Sequence, residues 1–287
     1  MTAFPLLVAG TGLAYSRSGP ESLAEDQEPG AWVSAPPDTS PLAELLPTVS
    51  LRRIPQYART ALLAALSALR SAAWSRSDIS RAALVLGTAY GGVRMSMDFM
   101  DSILDNGPQL SSPTAFSHAV NNVGAGLLSL LLGIRGPCCT LSQFGLSFAG
   151  ALTAAETLLA SGRVEHVLAG AVDELDKRFS RCCPQQHVPG LVPTQGAVFF
   201  CLTSRRPAAA SLRVLWEQEP AEGSEVLLCG RGSADVAEGR WWDDGPLAHP
   251  LDVLAALERA GAGGGPVDCL CRTPDGRQAL VEVRRAS

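Results

Sequence analysis

No apolar run in this 287-residue chain approaches the ~20 residues that a membrane-spanning helix requires, so no membrane span is expected. Positive charge is also short. The 23 Lys and Arg face 28 Asp and Glu, giving a net charge of -5 and a pI near 5.4. Nucleic-acid surfaces select the opposite sign, which excludes nucleic acid as a partner. The start has no basic n-region, and Phe4-Pro5-Leu6-Leu7-Val8-Ala9-Gly10 is too short for the apolar core of a secretion signal plus its cleavage site. It reads instead as a first buried strand followed by a Gly-Thr-Gly turn. Metal-ligand spacing is missing too. The eight cysteines stand at positions 138, 139, 182, 183, 201, 229, 269 and 271. Their adjacent pairs suit neither disulfides nor a zinc knuckle, whose ligands are two to four residues apart. Cys269 and Cys271 share one face of a predicted strand. The expectation is free buried thiols in a cytoplasmic protein, with no metal and no cofactor.

A hydrophobic content of 46% is ample for a core in one or two domains. Ser16 to Pro47 is rich in Pro, Ser, Glu and Gly and reads as a long surface loop. Tyr57 to Trp74 follows Arg52-Arg53 and is an Ala- and Leu-rich helix with Leu62, Leu66 and Leu69 on one stripe. Ala82 to Leu86 is continuously apolar, the pattern of a strand covered on both faces. The turn Gly87-Thr88-Ala89-Tyr90-Gly91-Gly92 comes next. It lacks the Lys-Ser/Thr of a Walker loop and the spacing of a dinucleotide turn, so it is a poor phosphate site. Val93 to Leu104 is helical and carries Met95, Met97 and Met100 beside Phe99 and Ile103. Methionine is an ordinary filler of irregular core gaps. Val123 to Leu132 is a further helix.

The stretch from Gly136 to Gly150 organises the rest. Gly136-Pro137 ends a loop, residues 138–142 read as a strand, and Gln143-Phe144-Gly145 is a tight corner with glycine at the sharp turn. A helix from Leu146 to Ala160 places Phe148, Leu152, Ala155 and Leu159 at helical spacing, and Gly162 ends it. Strand, corner and helix make a nucleophile elbow, where the helix dipole would favour a reactive anion. None of Gln143, Phe144 and Gly145 can act as a nucleophile. The Gly145-Leu146-Ser147-Phe148-Ala149-Gly150 run is not a Gly-x-Ser-x-Gly elbow, and Ser147 falls within the helix.

With its neighbours this stretch resembles the β-ketoacyl synthases, the condensing enzymes of fatty-acid and polyketide synthesis. There, Gly-Pro and a strand lead to Thr-Ala-Cys-Ser, with the cysteine eight residues after the proline. The eighth residue after Pro137 is Gly145, and Gln143 and Phe144 stand where the family has Thr-Ala. Other markers fall in order: the Gly87 to Gly92 turn, Ser112-Pro113 with Asn121-Asn122 before a helix, Ala169-Gly170-Ala171-Val172-Asp173-Glu174 after the strand Val164 to Gly170, and Thr194-Gln195-Gly196-Ala197 before the strand Val198 to Leu202. The resemblance covers roughly residues 1–204. It implies an α/β thiolase-like fold layered α-β-α-β-α, with a complete N-terminal half at 1–204 and a strongly reduced C-terminal half at 205–287. It also implies a chain-length-factor-type subunit, as in type II polyketide or aryl polyene synthesis. Such a subunit is a non-catalytic partner of an active ketosynthase, with an acyl carrier protein as a further partner. In family dimers the helix matching Val93 to Leu104 reaches the partner's acyl tunnel, so Met95, Ser96, Phe99, Met100 and Ile103 become tunnel candidates beside the core-filling reading. The strand Cys138, Cys139, Thr140, Leu141, Ser142 becomes the interface, because the family pairs it across the dimer axis.

The family's second half supplies two histidines, in His-Gly-Thr and Asn-x-Gly-His contexts. No His-Gly-Thr exists here. His249, in Leu247-Ala248-His249-Pro250, is either a relic of the second or, given Pro250, a surface histidine, the favoured reading. His118 reads as structural, with nothing to deprotonate. The sequence further predicts strands at Ser211 to Glu217 and Glu225 to Cys229, a helix at Leu251 to Ala260, and a hairpin of Val267 to Arg272 with Gln278 to Arg284 turned at Thr273-Pro274-Asp275-Gly276. Asp173, Glu174 and Asp176 read as a solvated acidic loop, and residues 178–193 as another loop. Two competing readings remain open: acyl transfer through another cysteine such as Cys139 or Cys183, and a bare interaction module. The half-size second lobe leads one to expect thin cover and exposed apolar patches on its side.

Overall fold

The computed structural model of the chain describes residues 4–16, 35–182, 195–205, 208, 210–222, 224–229, 247–273 and 276–286. Cys183, residues 183–194 of the expected loop, residues 17–34 of the first one, and the turn residues Pro274 and Asp275 lie outside these. The elements in chain order are β1 (Leu6–Tyr15), α1 (Leu42–Leu45), α2 (Gln56–Ala72), α3 (Arg76–Arg81), β2 (Ala83–Gly87), α4 (Val93–Asn106), α5 (Pro113–Ala119), α6 (Val123–Leu132), β3 (Cys138–Leu141), α7 (Ser147–Ala160), β4 (His166–Asp173), α8 (Lys177–Cys182), β5 (Gly196–Thr203), β6 (Ala210–Trp216), β7 (Glu225–Cys229), α9 (Ala248–Gly261), β8 (Val267–Arg272) and β9 (Gln278–Arg285). Helix α8 replaces the start of the loop expected at 178–193.

The strands form one nine-stranded sheet in the order β3-β2-β4-β5-β1-β6-β9-β8-β7. That order is one arrangement used twice. In the first half the opening strand β1 pairs antiparallel with the closing strand β5, β5 antiparallel with β4, and β2 lies parallel between β4 and β3. In the second half β6 pairs antiparallel with β9, β9 antiparallel with β8, and β8 parallel with β7. Among the described residues the second half has no counterpart of β3. A short antiparallel contact between β1 and β6, centred on Leu7 and Ser211, joins the halves.

Strands β2, β4 and β5 are buried along their whole length. Successive side chains point to opposite faces, so both faces must be covered, and two cores result. Leu84, Leu86, Leu168, Val172 and Phe199 pack with Leu62, Ala65 and Leu69 of α2 and Leu128 of α6. On the other face, Val85, Ala169 and Phe200 pack with Phe148, Leu152 and Ala155 of α7, in a core continuous with Leu212, Cys269, Val281 and the α9 residues Val253 and Leu257. Helices α7 and α9 therefore share the layer between the two halves.

Two expectations need correction. Strand β1 does not turn at Gly10-Thr11-Gly12; it continues to Tyr15, with a register shift between Val8 and Gly10. These glycines serve close packing, since a Cβ on Gly12 would stand 2.1 Å from Ala64 O and one on Gly10 2.4 Å from Ala72 N. Helix α2 thus lies backbone to backbone on β1. The exposed apolar patch is also elsewhere than expected. Met100, Leu104, Leu110, Phe116, Val120, Leu130 and Phe144 are exposed, all on the α4–α6 side and the elbow, whereas the second half contributes Val226 alone among the described residues. The face of the second half turned away from α9 carries a charged row, with Arg284 at 2.7 Å from the fully buried Asp268 and 3.2 Å from Glu282, and Arg213 at 3.5 Å from Glu282.

Candidate functional site

The elbow follows β3 directly. Phe144 holds φ +50, one of only a few non-glycine residues with positive φ among the described residues. Gly145 is not among the residues of positive φ, so the sharp turn sits at Phe144, one residue before the glycine expected there. A short 3-10 turn, Phe144–Leu146, leads into α7. Ser147, at the first position of α7, is buried and ties the corner shut. Its Oγ accepts from Gln143 N at 2.8 Å, and its hydrogen is shared between Phe144 O at 2.6 Å and Thr88 O at 3.0 Å. The hydroxyl is fully engaged in structure. The Phe144 ring is 63% exposed, and the Gln143 amide lies over Gly150, where a Cβ would stand 2.4 Å from Oε1.

The second half closes on this corner. The Cys271 thiol donates to Gly145 O at 3.5 Å, and burial pushes its pKa up to about 12, helped by the nearby Asp252 carboxylate. His249 is only 1% exposed, which overturns the surface reading. It lies in the first turn of α9, its Nε2 3.3 Å from Cys269 O and its ring edge-on to Phe148 of α7 at 5.8 Å. Burial lowers its pKa to about 4, so the imidazole is neutral. Pro250 did not force it outward, because a proline in the first turn of a helix removes an N–H that has no intrahelical partner anyway. His118 sits half-buried near the end of α5.

The turn after β2 wraps a buried carboxyl group. Asp173, at the end of β4, accepts from Thr88 Oγ1 at 2.8 Å, Tyr90 N at 2.8 Å and Ala89 N at 3.0 Å. Burial pushes its pKa up to about 7 against the pull of those donors. Glu174 accepts from Arg94 N at 3.1 Å, and burial likewise pushes it up to about 7. Burial also raises Asp176, but the Arg178 donors outweigh it and hold that carboxyl below its ordinary value. All three acids are buried, at 2%, 4% and 8% exposure, so the solvated acidic loop is corrected to a buried cluster. Sequence showed three local charges, not the donors to Asp173 and Glu174 some 80 residues earlier.

The tunnel candidates all lie on α4. Ser96 and Phe99 face α5, with Ser96 Oγ 3.3 Å from Ala119 O and the Phe99 ring 5.3 Å from that of Phe116. Met95 and Ile103 are half-buried, and Met100 and Leu104 are exposed. Of the interface candidates, Cys138, Cys139, Thr140 and Leu141 form β3, with Ser142 just beyond it. Strand β3 ends the sheet, so its outer edge is unpaired among the described residues. Leu84 N bonds Pro137 O at 2.8 Å and Thr88 N bonds Leu141 O at 3.0 Å. In a parallel ladder alternate residues bond to the same neighbour, so Cys139 and Leu141 also face β2, while Cys138 and Thr140 direct their backbone groups outward.

The doubled strand order and the elbow entering a buried helix define a thiolase-like α/β fold. Residues 24–226 match the family description "Beta-ketoacyl synthase, N-terminal domain". The chain belongs to the β-ketoacyl synthase family. It is 26% identical over 129 residues to the chloroplastic 3-oxoacyl-[acyl-carrier-protein] synthase I of Hordeum vulgare, covering 42% of this chain and 28% of that protein. It is 30% identical over 185 residues to a polyketide β-ketoacyl synthase of Streptomyces halstedii, covering 62% and 43%. The chain thus spans less than half the length of these curated relatives. Among solved structures, the ishigamide ketosynthase/chain length factor is similar with a TM-score of 0.75 at 16% identity, covering 99% of this chain and 100% of that one. A type II polyketide acyl-carrier protein in complex with its ketosynthase bound to the hexaketide gives 0.74 at 15% identity, with the same coverage. No single helix of the described residues is long and apolar enough to cross a membrane.

Proposed function

We propose that the chain is a non-catalytic, chain-length-factor-type subunit that pairs with an active β-ketoacyl synthase and shapes its acyl tunnel in polyketide or fatty-acid-type elongation. The observation that carries this reading is the corner itself. Gln143, Phe144 and Gly145 offer no nucleophile, Ser147 is committed to holding the turn, and the thiol facing Gly145 is Cys271, buried, protonated and bonded to a carbonyl. The buried neutral His249 meeting the elbow helix at Phe148 supports its reading as a relic of the family histidine. Cys138 and Cys139 are exposed rather than buried as expected; Cys139 does not rescue catalysis in this reading, because partial desolvation still raises its pKa. The free thiols suit a reducing cytoplasm.

The partner would add a strand to the open edge of β3 and cover the exposed apolar side chains of α4–α6 and the elbow. An interface of that kind falls in the obligate class, above ~2,000 Å². The direction of the backbone groups selects the test. Thr140→Pro removes an outward N–H, leaves the β2 ladder intact, and should abolish co-purification with a co-expressed ketosynthase while the chain still folds. Undiminished co-purification of a folded Thr140→Pro chain would place the interface elsewhere.

A further inference from the structure

We propose that the short run Asp173-Glu174-Leu175-Asp176-Lys177-Arg178 is the mount that fixes the position of α4, and that Asp173, Glu174, Asp176 and Arg178 are positioning residues for acyl-chain length. The inference rests on the tunnel-shaping reading above and goes beyond it by naming what holds the tunnel-side helix in place.

Helix α4 has little apolar anchorage. Among its residues only Val93 is buried, and it packs on α5, the turn after it and α8 rather than on the sheet. Its position must therefore come from elsewhere, and polar ties to one six-residue stretch supply it. The Asp173 carboxylate gathers Thr88 Oγ1, Ala89 N and Tyr90 N, fixing the turn that delivers the chain to α4. The N-cap of α4 is Gly92, which has no side chain to satisfy the first free N–H groups. Glu174 does so from outside, accepting from Arg94 N at 3.1 Å, where the positive end of the helix dipole also favours a carboxylate. One turn further on, the Arg178 guanidinium grips the helix side. It reaches Asp98 at 2.7 Å and Asp101 at 2.5 Å, residues three apart on one face of α4. Asp176 orients that guanidinium through its Nε and Nη2, both at 2.9 Å. Feeder turn, N-terminus and side of the helix are thus held by residues leaving the end of β4. That strand is buried at every position, so the mount stands on a strand held by packing on both faces. A fixed offset between β4 and α4 would set how deep an acyl chain can run beside Met95, Phe99 and Ile103.

Hydrogen exchange on the full-length chain tests the mount. In Arg178→Gln and in Glu174→Ala, amides of Val93–Asn106 should exchange about tenfold faster, with α2 and β4 unchanged, because only local opening is made easier. Arg178→Lys, which keeps the charge but loses the fork, should restore protection only in part. Should Arg178→Gln fail to fold, the exposed pair Asp98→Asn/Asp101→Asn removes the same grip from the α4 side. Unchanged exchange of α4 in the folded variants overturns the mount. In the complex with the ketosynthase, the same variants should broaden the distribution of product lengths. A loosened α4 with unchanged products would keep the mount and overturn the tunnel role instead, so the two failures are distinguishable.

Discussion

Phe144 and Asp173 carry the account at the scale of single residues. A phenylalanine at φ +50 is held against its own backbone preference, at a cost of about 1–2 kcal/mol. The Ser147 hydroxyl is what holds it, and strain of this kind collects at functional corners. Here the corner keeps the geometry while presenting an exposed ring. Asp173 makes a prediction of unusual sign. Its pKa rises from the ordinary 3.8 to about 7 on folding. Between those values the folded chain keeps a proton that the unfolded chain has released, so the associated stability is present below about pH 4 and is lost as pH climbs through 7. Glu174 acts in the same direction. Asp173→Asn should therefore flatten the decline in urea midpoint between pH 5 and 8, on top of a constant loss. An identical slope in both proteins would contradict the buried-carboxylate assignment. Such residues were only partly legible in advance. That Gln143, Phe144 and Gly145 carry no nucleophilic side chain was legible in the sequence, but the sequence put the sharp turn at Gly145, because glycine is the residue that ordinarily takes positive φ. Nothing local to residues 173–176 told of donors at Thr88 and Arg94, and Pro250 read as a surface signal until its place in the first helical turn was seen.

At the scale of elements, β3 and α4 divide the work. Strand β3 has an inner edge satisfied by β2 and an outer edge with backbone groups to give, and α4 stands mostly clear of both cores. Period and composition placed most strands and the longer helices α2, α4, α6 and α7 closely, since continuous burial leaves unbroken apolar runs such as Ala83 to Leu86 and Val198 to Leu202, but they gave no sign of the short helices α1, α3, α5 and α8, whose four to seven residues are too few to show a period. They misplaced β1, where glycines that admit α2 looked like a turn. They also left open which face of α4 is free. Phe99 now has a defined neighbour, the Phe116 ring at 5.3 Å. Phe99→Ala should cost about 1 kcal/mol of local α4–α5 packing and leave ketosynthase pairing intact. It should shift products toward longer chains, as read by mass spectrometry of the released acyl groups. Unaltered product lengths would remove Phe99 from the tunnel.

The whole molecule is a doubled topology with unequal halves. The second half lacks a described counterpart of the elbow strand, and it contributes α9 to the layer where the elbow helix lies. Its face turned away from α9 carries the ion pairs of Arg213, Asp268, Glu282 and Arg284 beside the buried Leu270 and Leu280. The exposed apolar side chains described lie instead on α4–α6, the turn between α4 and α5, and the elbow that follows β3. Under the proposed function, shape and contact are what this corner supplies. The central claim is tested most directly by intact-mass measurement of the chain co-purified with an active β-ketoacyl synthase and loaded with an acyl thioester. The ketosynthase should gain the acyl mass while this chain keeps its own unchanged; an acyl adduct on this chain, whether at Cys139, Cys183 or Cys271, would contradict that claim.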